Sequence, residues 1–405
     1  MIVWVYAFIF GFPTPINKIV RYELNNMSKV KVLIVQQVLP SYSVDFFNEL
    51  ARYNPNVELH IAANVRADSE LNQYSGGSNF KVHNYNIKNI MGFSYEKNLF
   101  HIVKMQKPSI VILSGNVRSL ISIPLLAYLK VKNVPTASWG MFHRIGKKRF
   151  ISQFYYWMYA SLSCYIFVYG NKGLASLSHI NIPRSKIHVI GTAIDETRVF
   201  HSKEKVSNFD ILKIKEDFNV GRSKVVLQVV RLSEIKKPQL IIEVAKTLVS
   251  HDIKFFLIGD GKMREEIETK IRENNLSENV IMLGSIYDED ELAKWYSLAD
   301  IFVIPTCIGL SAHHAMAYGL PIITDDSYIY QATESELLIN GLNGLTYNEG
   351  DVCDFKEKIL YLINNDELRA ELSNVATKTV KYAYPMSSKV CNFSKGLQLL
   401  INKLS

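Results

Sequence analysis

Short, continuous apolar runs alternate with segments of helical period along most of the chain. Lys31–Val35, Val57–Ala62, Ile110–Leu113, Thr136–Trp139, Tyr165–Val168 and Lys186–Ile190 read as strands, with helices over Val44–Tyr53, Phe93–Met105 and Leu120–Val131. The series then restarts. Lys224–Val230, Lys254–Ile258, Val280–Leu283, Ile301–Ile304 and Pro321–Thr324 are strands, and Gln239–Ser250, Met263–Asn274, Asp288–Leu298 and Ser311–Tyr318 are helices. Strands that are apolar at every position are buried on both faces, the mark of a parallel sheet covered by helices. The pattern predicts an α/β protein with two Rossmann-like, doubly wound parallel-sheet domains facing a cleft. Open sheets of this kind bind ligands beyond the carboxyl ends of their strands.

The first domain is expected over residues 27–200 and the second over 209–385, joined by the polar, charged linker His201–Asn208. Tyr384-Pro385 is a break, after which residues 386–405 read as a terminal helix packing back on the first domain. Residues 1–26 open on an apolar run too short to span a bilayer as a helix, with no basic leading region of a signal peptide. Because Met27-Ser28-Lys29 directly precedes a clean strand, that stretch reads as an over-extended start or as a weak anchor.

Ile301–Pro321 concentrates strand, loop, helix start and helix in about two dozen residues. A helix N-terminus behind a parallel strand carries unpaired N–H groups and the positive dipole end, which suits a phosphate or a sugar hydroxyl. Arg231 and Lys236 sit five apart across another strand-to-helix turn, where a forked donor and a flexible ammonium can meet one anion. A solvated surface pair is the alternative. Gly259 and Gly261 let the backbone after the next strand approach a flat ligand, or simply make a tight turn.

Composition narrows the class. At 48% hydrophobic and 21% charged residues the chain is globular rather than disordered. Its net charge of +8 divides unevenly, +13 over residues 1–200 and −5 over the rest, so the first half is expected to face something anionic. Four widely spaced cysteines form no C-x-x-C pair and ten histidines show no ligand spacing, so no metal or cofactor is expected and a reducing cytoplasm is. Lys147-Lys148-Arg149 leads into the aromatic run FISQFYYWMYASLSCYIF. That combination suits a headgroup-level surface, against the alternative of an ordinary buried helix with a basic start.

The order VVRLSEIKKP, FFLIGDG, VIMLGSIYDEDELAKWYSLADIFVIPT, GLSAHHAMAYGLPIIT and ESELLINGLNGLTYNEGD, over about Lys224–Leu362, resembles the second domain of a family 4 (group 1) glycosyltransferase. QQVLPSYSVDFFNEL, SWGMFHRIGKKR and VIGTAIDETRVF are compatible with its acceptor-side domain. The resemblance implies the GT-B architecture and transfer of a sugar from a nucleotide-diphosphate donor with retention. It makes Arg231 and Lys236 the diphosphate clamp, lays Gly259 and Gly261 against the base, and has Gly309 and Leu310 present N–H groups to the diphosphate or sugar. Most of the family has a glutamate at the positions of Thr306 and His314; PTCIGLSAHHA is similar to a branch with histidine at the second. His314 could then accept from ribose hydroxyls. Glu334 and Glu336 resemble paired glutamates near the donor in that branch, or are two solvated charges, and His143 is a displaced candidate for the family's catalytic histidine.

A cytoplasmic, peripheral membrane enzyme acting on a glycolipid, oligosaccharide or surface-polysaccharide precursor is therefore expected, with Lys147, Lys148 and Arg149 on the acceptor or membrane side. A nucleotide-sugar epimerase on the same architecture and a non-catalytic binding subunit are the alternatives. Nucleic-acid binding has only the charge in its favour and no recognisable module, and is not expected.

Overall fold

The computed structural model describes residues 29–65, 79–147 and 150–404. Residues 1–26, Lys148 and Arg149 therefore lie outside the described residues.

The first series of strands is β1 (Val30–Val38), β2 (Val57–Asn64), β3 (Lys81–Asn84), β4 (Asn86–Ile90), β5 (Phe93–Lys97), β6 (Ile110–Ser114), β7 (Thr136–Gly140), β8 (Tyr165–Val168) and β9 (Ile187–Val189). Seven of them form one sheet in the order β3-β2-β1-β6-β7-β8-β9. β1 pairs in parallel with β2 and β6, β2 with β3, and β8 with β9. The helices among them are α1 (Ser41–Tyr53), α2 (Leu99–Gln106), α3 (Ser122–Val131), α4 (Phe150–Leu162), α5 (Asn171–His179) and α6 (Glu196–Lys205). The helix expected over Phe93–Met105 begins only at Leu99: the alternating Phe93–Lys97 joins Asn86–Ile90 in an antiparallel hairpin. Alternation at period two decides for a strand where one face meets solvent.

The second series starts after α7 (Asn208–Asp217) with β10 (Lys224–Val229), α8 (Gln239–Thr247), β11 (Ile253–Ile258), α9 (Arg264–Glu273) and β12 (Val280–Gly284). It continues through α10 (Glu289–Leu298), β13 (Ile301–Val303), α11 (Ser311–Tyr318), β14 (Ile322–Asp325) and β15 (Gly344–Tyr347). Helices α12 (Val352–Ile363), α13 (Asp366–Lys378) and α14 (Met386–Ile401) complete the chain. The sheet order is β12-β11-β10-β13-β14-β15, every pair parallel. β11, β13 and β14 are buried at all but one of their positions, as a parallel sheet covered on both faces requires. The order reverses between β10 and β13, and the loops leaving those two strands lie side by side at the switch point.

Two features depart from the sequence expectation. The segment His201–Asn208, expected as a linker, is the end of α6 and the capped start of α7. Asp195 caps α6 by accepting from Arg198, and Ser207 with Asp210 forms a capping box for α7. Its polar composition reflects the outer face of α6, whose inward residues are Glu196, Val199 and Ser202. By contacts the chain divides into one unit ending at Ser138 plus Ser161–Tyr165 and Val390–Ser405, and a second of Trp139–Ala160 and Ile166–Lys389. Within the first unit Phe393 of α14 meets Phe46 of α1 edge-on at 5.4 Å, and Asn54 donates to Ser394 at 2.9 Å.

Candidate functional site

The site is built from loops of the second unit at the β10/β13 switch point. β10 runs out through Val230-Arg231-Leu232, and β11 leaves beside it through Gly259-Asp260-Gly261. Gly259 has φ +138°, and a Cβ there would lie 1.8 Å from the Val230 carbonyl oxygen; one at Gly261 would lie 2.2 Å from that of Leu232. Both positions are glycine because the loop leaving β11 is pressed against the loop leaving β10. Leu232 N–H donates to Asp260 at 2.9 Å and Gly259 N–H to Gly284 at 2.7 Å, closing the layer.

Lys236 ends a single 3₁₀ turn, Glu234–Lys236, and reaches across to the loop leaving β13. Its ammonium donates to the Cys307 carbonyl, and a Cβ on Gly309 would lie 3.4 Å from Nζ. Lys236, Gly309 and the start of α11 are thus gathered in one place. Leu310 precedes α11 with no side-chain cap; the Ala312 N–H turns back to the Gly309 carbonyl at 2.9 Å, and a helix start of this kind offers its remaining first-turn N–H groups to a ligand. Arg231 is exposed on the neighbouring loop.

The β13 loop owes its shape to a residue that the sequence did not single out. Gln331 accepts from Ile308 N–H at 2.7 Å, and its amide donates to Thr324 at 2.8 Å and to the Asp325 carboxylate at 2.7 Å. Cys307 takes the left-handed conformation, φ +57°, to make the turn. Burial raises the Cys307 thiol, against the nearby Lys236 charge. Thr306 is 1% exposed and so lies beneath the loop rather than open to a ligand. Burial also raises the Asp325 carboxyl, and the Thr306 hydroxyl and Gln331 amide work against it.

Glu334 and Glu336, adjacent in the sequence pattern, have separate fates on the turn Thr333–Leu337. Glu336 accepts from the backbone N–H groups of Asn171 at 2.9 Å and Lys172 at 2.8 Å, capping α5. A Cβ on Gly170 would meet that carboxylate at 2.7 and 2.8 Å. Burial raises the Glu334 carboxyl, opposed first by its own backbone N–H and then by the charges of Lys236 and Lys389. Burial in turn pulls the Lys389 ammonium down to about 8, against Glu334.

His143 joins this group from the loop after β7. Phe142 beside it takes φ +49° and is locked against Tyr156 and Tyr159 of α4, with ring centroids at 5.5 and 6.0 Å. The His143 ring lies 3.2 Å from the Met141 carbonyl. Burial lowers its pKa, the carbonyls of Met141 and Gln331 oppose this, and Lys172 adds to it. Lys172 is itself buried, donates to the carbonyls of Tyr328 and Gln331 at 3.1 Å each, and lies 4.9 Å above the Tyr328 ring. Burial lowers its pKa, against Glu336, Cys307, Asp325 and Glu334.

The histidine pair of α11 points two ways. His314 lies 3.4 Å from Glu289 of α10 and parallel to Tyr296, with Tyr318 bonded to the same carboxylate at 3.2 Å. Burial would raise Glu289, but His314 and Tyr318 outweigh it and hold the carboxyl low. His313 is wholly buried, 3.4 Å from the Thr192 hydroxyl, and burial with the neighbouring His314 and Lys389 drives its pKa to about 3. Lys147 is exposed. Among the described residues no group of three or more His, Cys, Asp or Glu is placed to hold a metal ion.

Arg231, Lys236, Gly309, Leu310, Glu334 and His143 thus lie on loops of one unit, joined by Gln331, Lys172, Asp325 and Lys389. Residues 210–379 match the model of the family described as glycosyl transferases group 1. An uncharacterised glycosyltransferase of Methanocaldococcus jannaschii is 35% identical over 172 residues, 41% of this chain and 44% of that protein. The poly(ribitol-phosphate) alpha-N-acetylglucosaminyltransferase of Staphylococcus aureus is 28% identical over 167 residues, 41% of this chain and 33% of that protein. The chain thus spans less than half the length of either relative. Among solved structures, HepE of Anabaena in complex with UDP has a TM-score of 0.71 at 16% identity, covering 91% of this chain and 99% of its own. A Listeria monocytogenes protein described as a UDP-N-acetylglucosamine 2-epimerase has a TM-score of 0.65 at 12% identity, covering 93% and 97%. The fold is that of the GT-B glycosyltransferases.

Proposed function

We propose that this protein is a retaining glycosyltransferase that moves a sugar from a nucleotide-diphosphate donor to a lipid-linked or surface-polysaccharide precursor. The observation that carries the reading is the Lys236 ammonium, held on the Cys307 carbonyl beside Gly309 and the uncapped start of α11. A cation and free N–H groups already in place stabilise the charge that builds as the sugar–phosphate bond breaks. The acceptor oxygen then bonds to the anomeric carbon, and its proton passes to the departing phosphate oxygen, so no side chain need act as base. Arg231 supplies a second donor to the diphosphate. Glu334, on whose carboxyl the Lys236 charge acts, offers the carboxylate to sugar hydroxyls that Thr306 does not. His143 orients a sugar or acceptor hydroxyl. The four free cysteines suit a reducing cytoplasm.

The test is a thermal-shift series of the whole chain with uridine-, guanosine- and thymidine-diphosphate sugars, repeated on Lys236→Ala. One donor class is expected to raise the melting temperature, and the variant to bind it about 10–100-fold more weakly, the range for losing a charged hydrogen bond. No shift with any donor overturns the reading. Release of a free epimer in the absence of acceptor would assign the chain to epimerisation instead, a reaction that the fold also accommodates.

A further inference from the structure

We propose that the outer face of α4 is a membrane-docking surface that lies in the interface of an anionic bilayer. The inner face of this helix is fully used: Ser152, Tyr156, Tyr159 and Ala160 are buried, and the two tyrosines hold Phe142. The outer face is more apolar still. Phe150, Ile151, Phe154 and Trp157 are 81%, 67%, 48% and 50% exposed, and the rings of Phe154 and Trp157 stack at 6.0 Å and 21°. A helix on the surface of a globular protein turns charge to solvent; Phe150–Leu162 carries no charged residue at all. Contiguous exposed apolar surface marks a place of docking.

Charge selects the occupant. From Lys97 to Ile194 there is not one Asp or Glu, against thirteen Lys and Arg, and four of those stand at Arg144, Lys147, Lys148 and Arg149, directly ahead of α4. A protein partner would present both signs, whereas an anionic bilayer presents negative headgroups over an apolar layer, matching bases followed by Phe, Ile and Trp. Trp and Tyr suit that depth because each has an apolar ring and a polar tip. No helix among the described residues is long and apolar enough to cross a membrane. At about 1.5 Å per residue the thirteen residues of α4 fit along the interface and not through it. Docking does not depend on the transfer reading, but it would bring the His143 loop, anchored on α4 through Phe142, to the surface where a lipid-linked acceptor is presented.

The test uses the whole chain carrying Trp4→Phe, in which Trp157 is the exposed indole and Trp139 and Trp295 are each 5% exposed. Phosphatidylcholine vesicles with and without roughly one-third phosphatidylglycerol are titrated, and binding is read by co-sedimentation and by quenching with brominated lipid. The expected result is salt-sensitive binding to the anionic vesicles with quenching of Trp157, weakened about tenfold or more in Phe154→Ser/Trp157→Ser. The same variant should keep the thermal shift given by the nucleotide-sugar donor, so loss of docking and failure of the transfer reading are read separately. Equal vesicle binding by parent and variant would overturn the proposal and move docking elsewhere, including residues 1–26. Absence of binding by the parent, with self-association that the variant abolishes, would make the face a contact between copies of this chain.

Discussion

Gln331 is neutral and buried, yet its side chain holds the Ile308 N–H, the Thr324 hydroxyl and the Asp325 carboxylate at once. Replacing it with leucine leaves all three without that partner, at about 1–3 kcal/mol for each group left unsatisfied. Gln331→Leu should therefore lower the midpoint of urea unfolding and also weaken donor binding, because the loop that carries Gly309 loses its anchor. Unchanged donor affinity in a folded variant would show that the loop keeps its shape without Gln331. His313 gives the site's clearest pH dependence. Its folded pKa of about 3 lies below the ordinary 6.5, so stability is complete above 6.5 and is lost as pH falls toward 3, while the unfolded chain takes up a proton that the folded one refuses. The slope is about 1.4 kcal/mol per pH unit, so from pH 7 to 5 the parent should lose roughly 2 kcal/mol that His313→Leu keeps, as urea unfolding at both pH values would report. Lys236 and Arg231 were legible in the sequence as cations placed across one strand-to-helix turn, with a solvated surface pair as the alternative. Gln331 and Lys172 were not: a single polar residue has no period, and what each does is set by carbonyls and amides brought to it from elsewhere in the fold.

At the scale of elements, the turn Thr333–Leu337 separates two carboxylates that the sequence presents as a pair. Glu336 caps α5, where its charge meets the positive helix end and satisfies two backbone donors. Glu336→Gln should cost about 0.5–2 kcal/mol, the range for losing a cap, and raise amide exchange at Asn171 and Lys172 more than at the middle of the helix. Uniform exchange along α5 would deny the carboxylate that role. Glu334, two residues away, takes no part in that cap, and the charges of Lys236 and Lys389 act on its buried carboxyl. Strand existence was legible where both faces are buried, since β10, β11, β13 and β14 are mostly apolar, with Lys224, Gln228, Lys254, Thr324 and Asp325 the exceptions. It is not legible where one face is exposed: Asn86–Ile90 and Phe93–Lys97 form a hairpin, and the polar His201–Asn208 runs from the end of α6 into the start of α7. Both have one cause, for polar positions record solvent and not the conformation beneath it.

At the scale of the molecule, the sheet orders place the ends of β10 and β13 together, and periodicity alone could not supply that adjacency. The two-sheet α/β class followed from the alternation of runs; the switch point needed the pairing of strands far apart in sequence. Trp139–Ala160 and Ile166–Ile194, strands of the first series included, belong to the unit that holds the switch-point loops, which no motif carried. The ties are particular. Glu336 holds the start of α5, Lys172 reaches the carbonyls of Tyr328 and Gln331, and Gly146 N–H donates to Ile329 at 2.6 Å. A ligand bound at Lys236 and Gly309 stabilises whatever must remain ordered to bind it, by about 2.7 kcal/mol at a hundredfold excess over Kd. Hydrogen exchange with the donor that gives the thermal shift should therefore slow at residues 306–312, as any ligand there requires, and also at 141–146 and 171–175. Residues 30–64 and 110–114, in the other unit, should exchange as before. Protection confined to 306–312 would mean that the loops after β7 and β8 answer to something other than the donor, and would leave His143 and Lys172 outside the binding event.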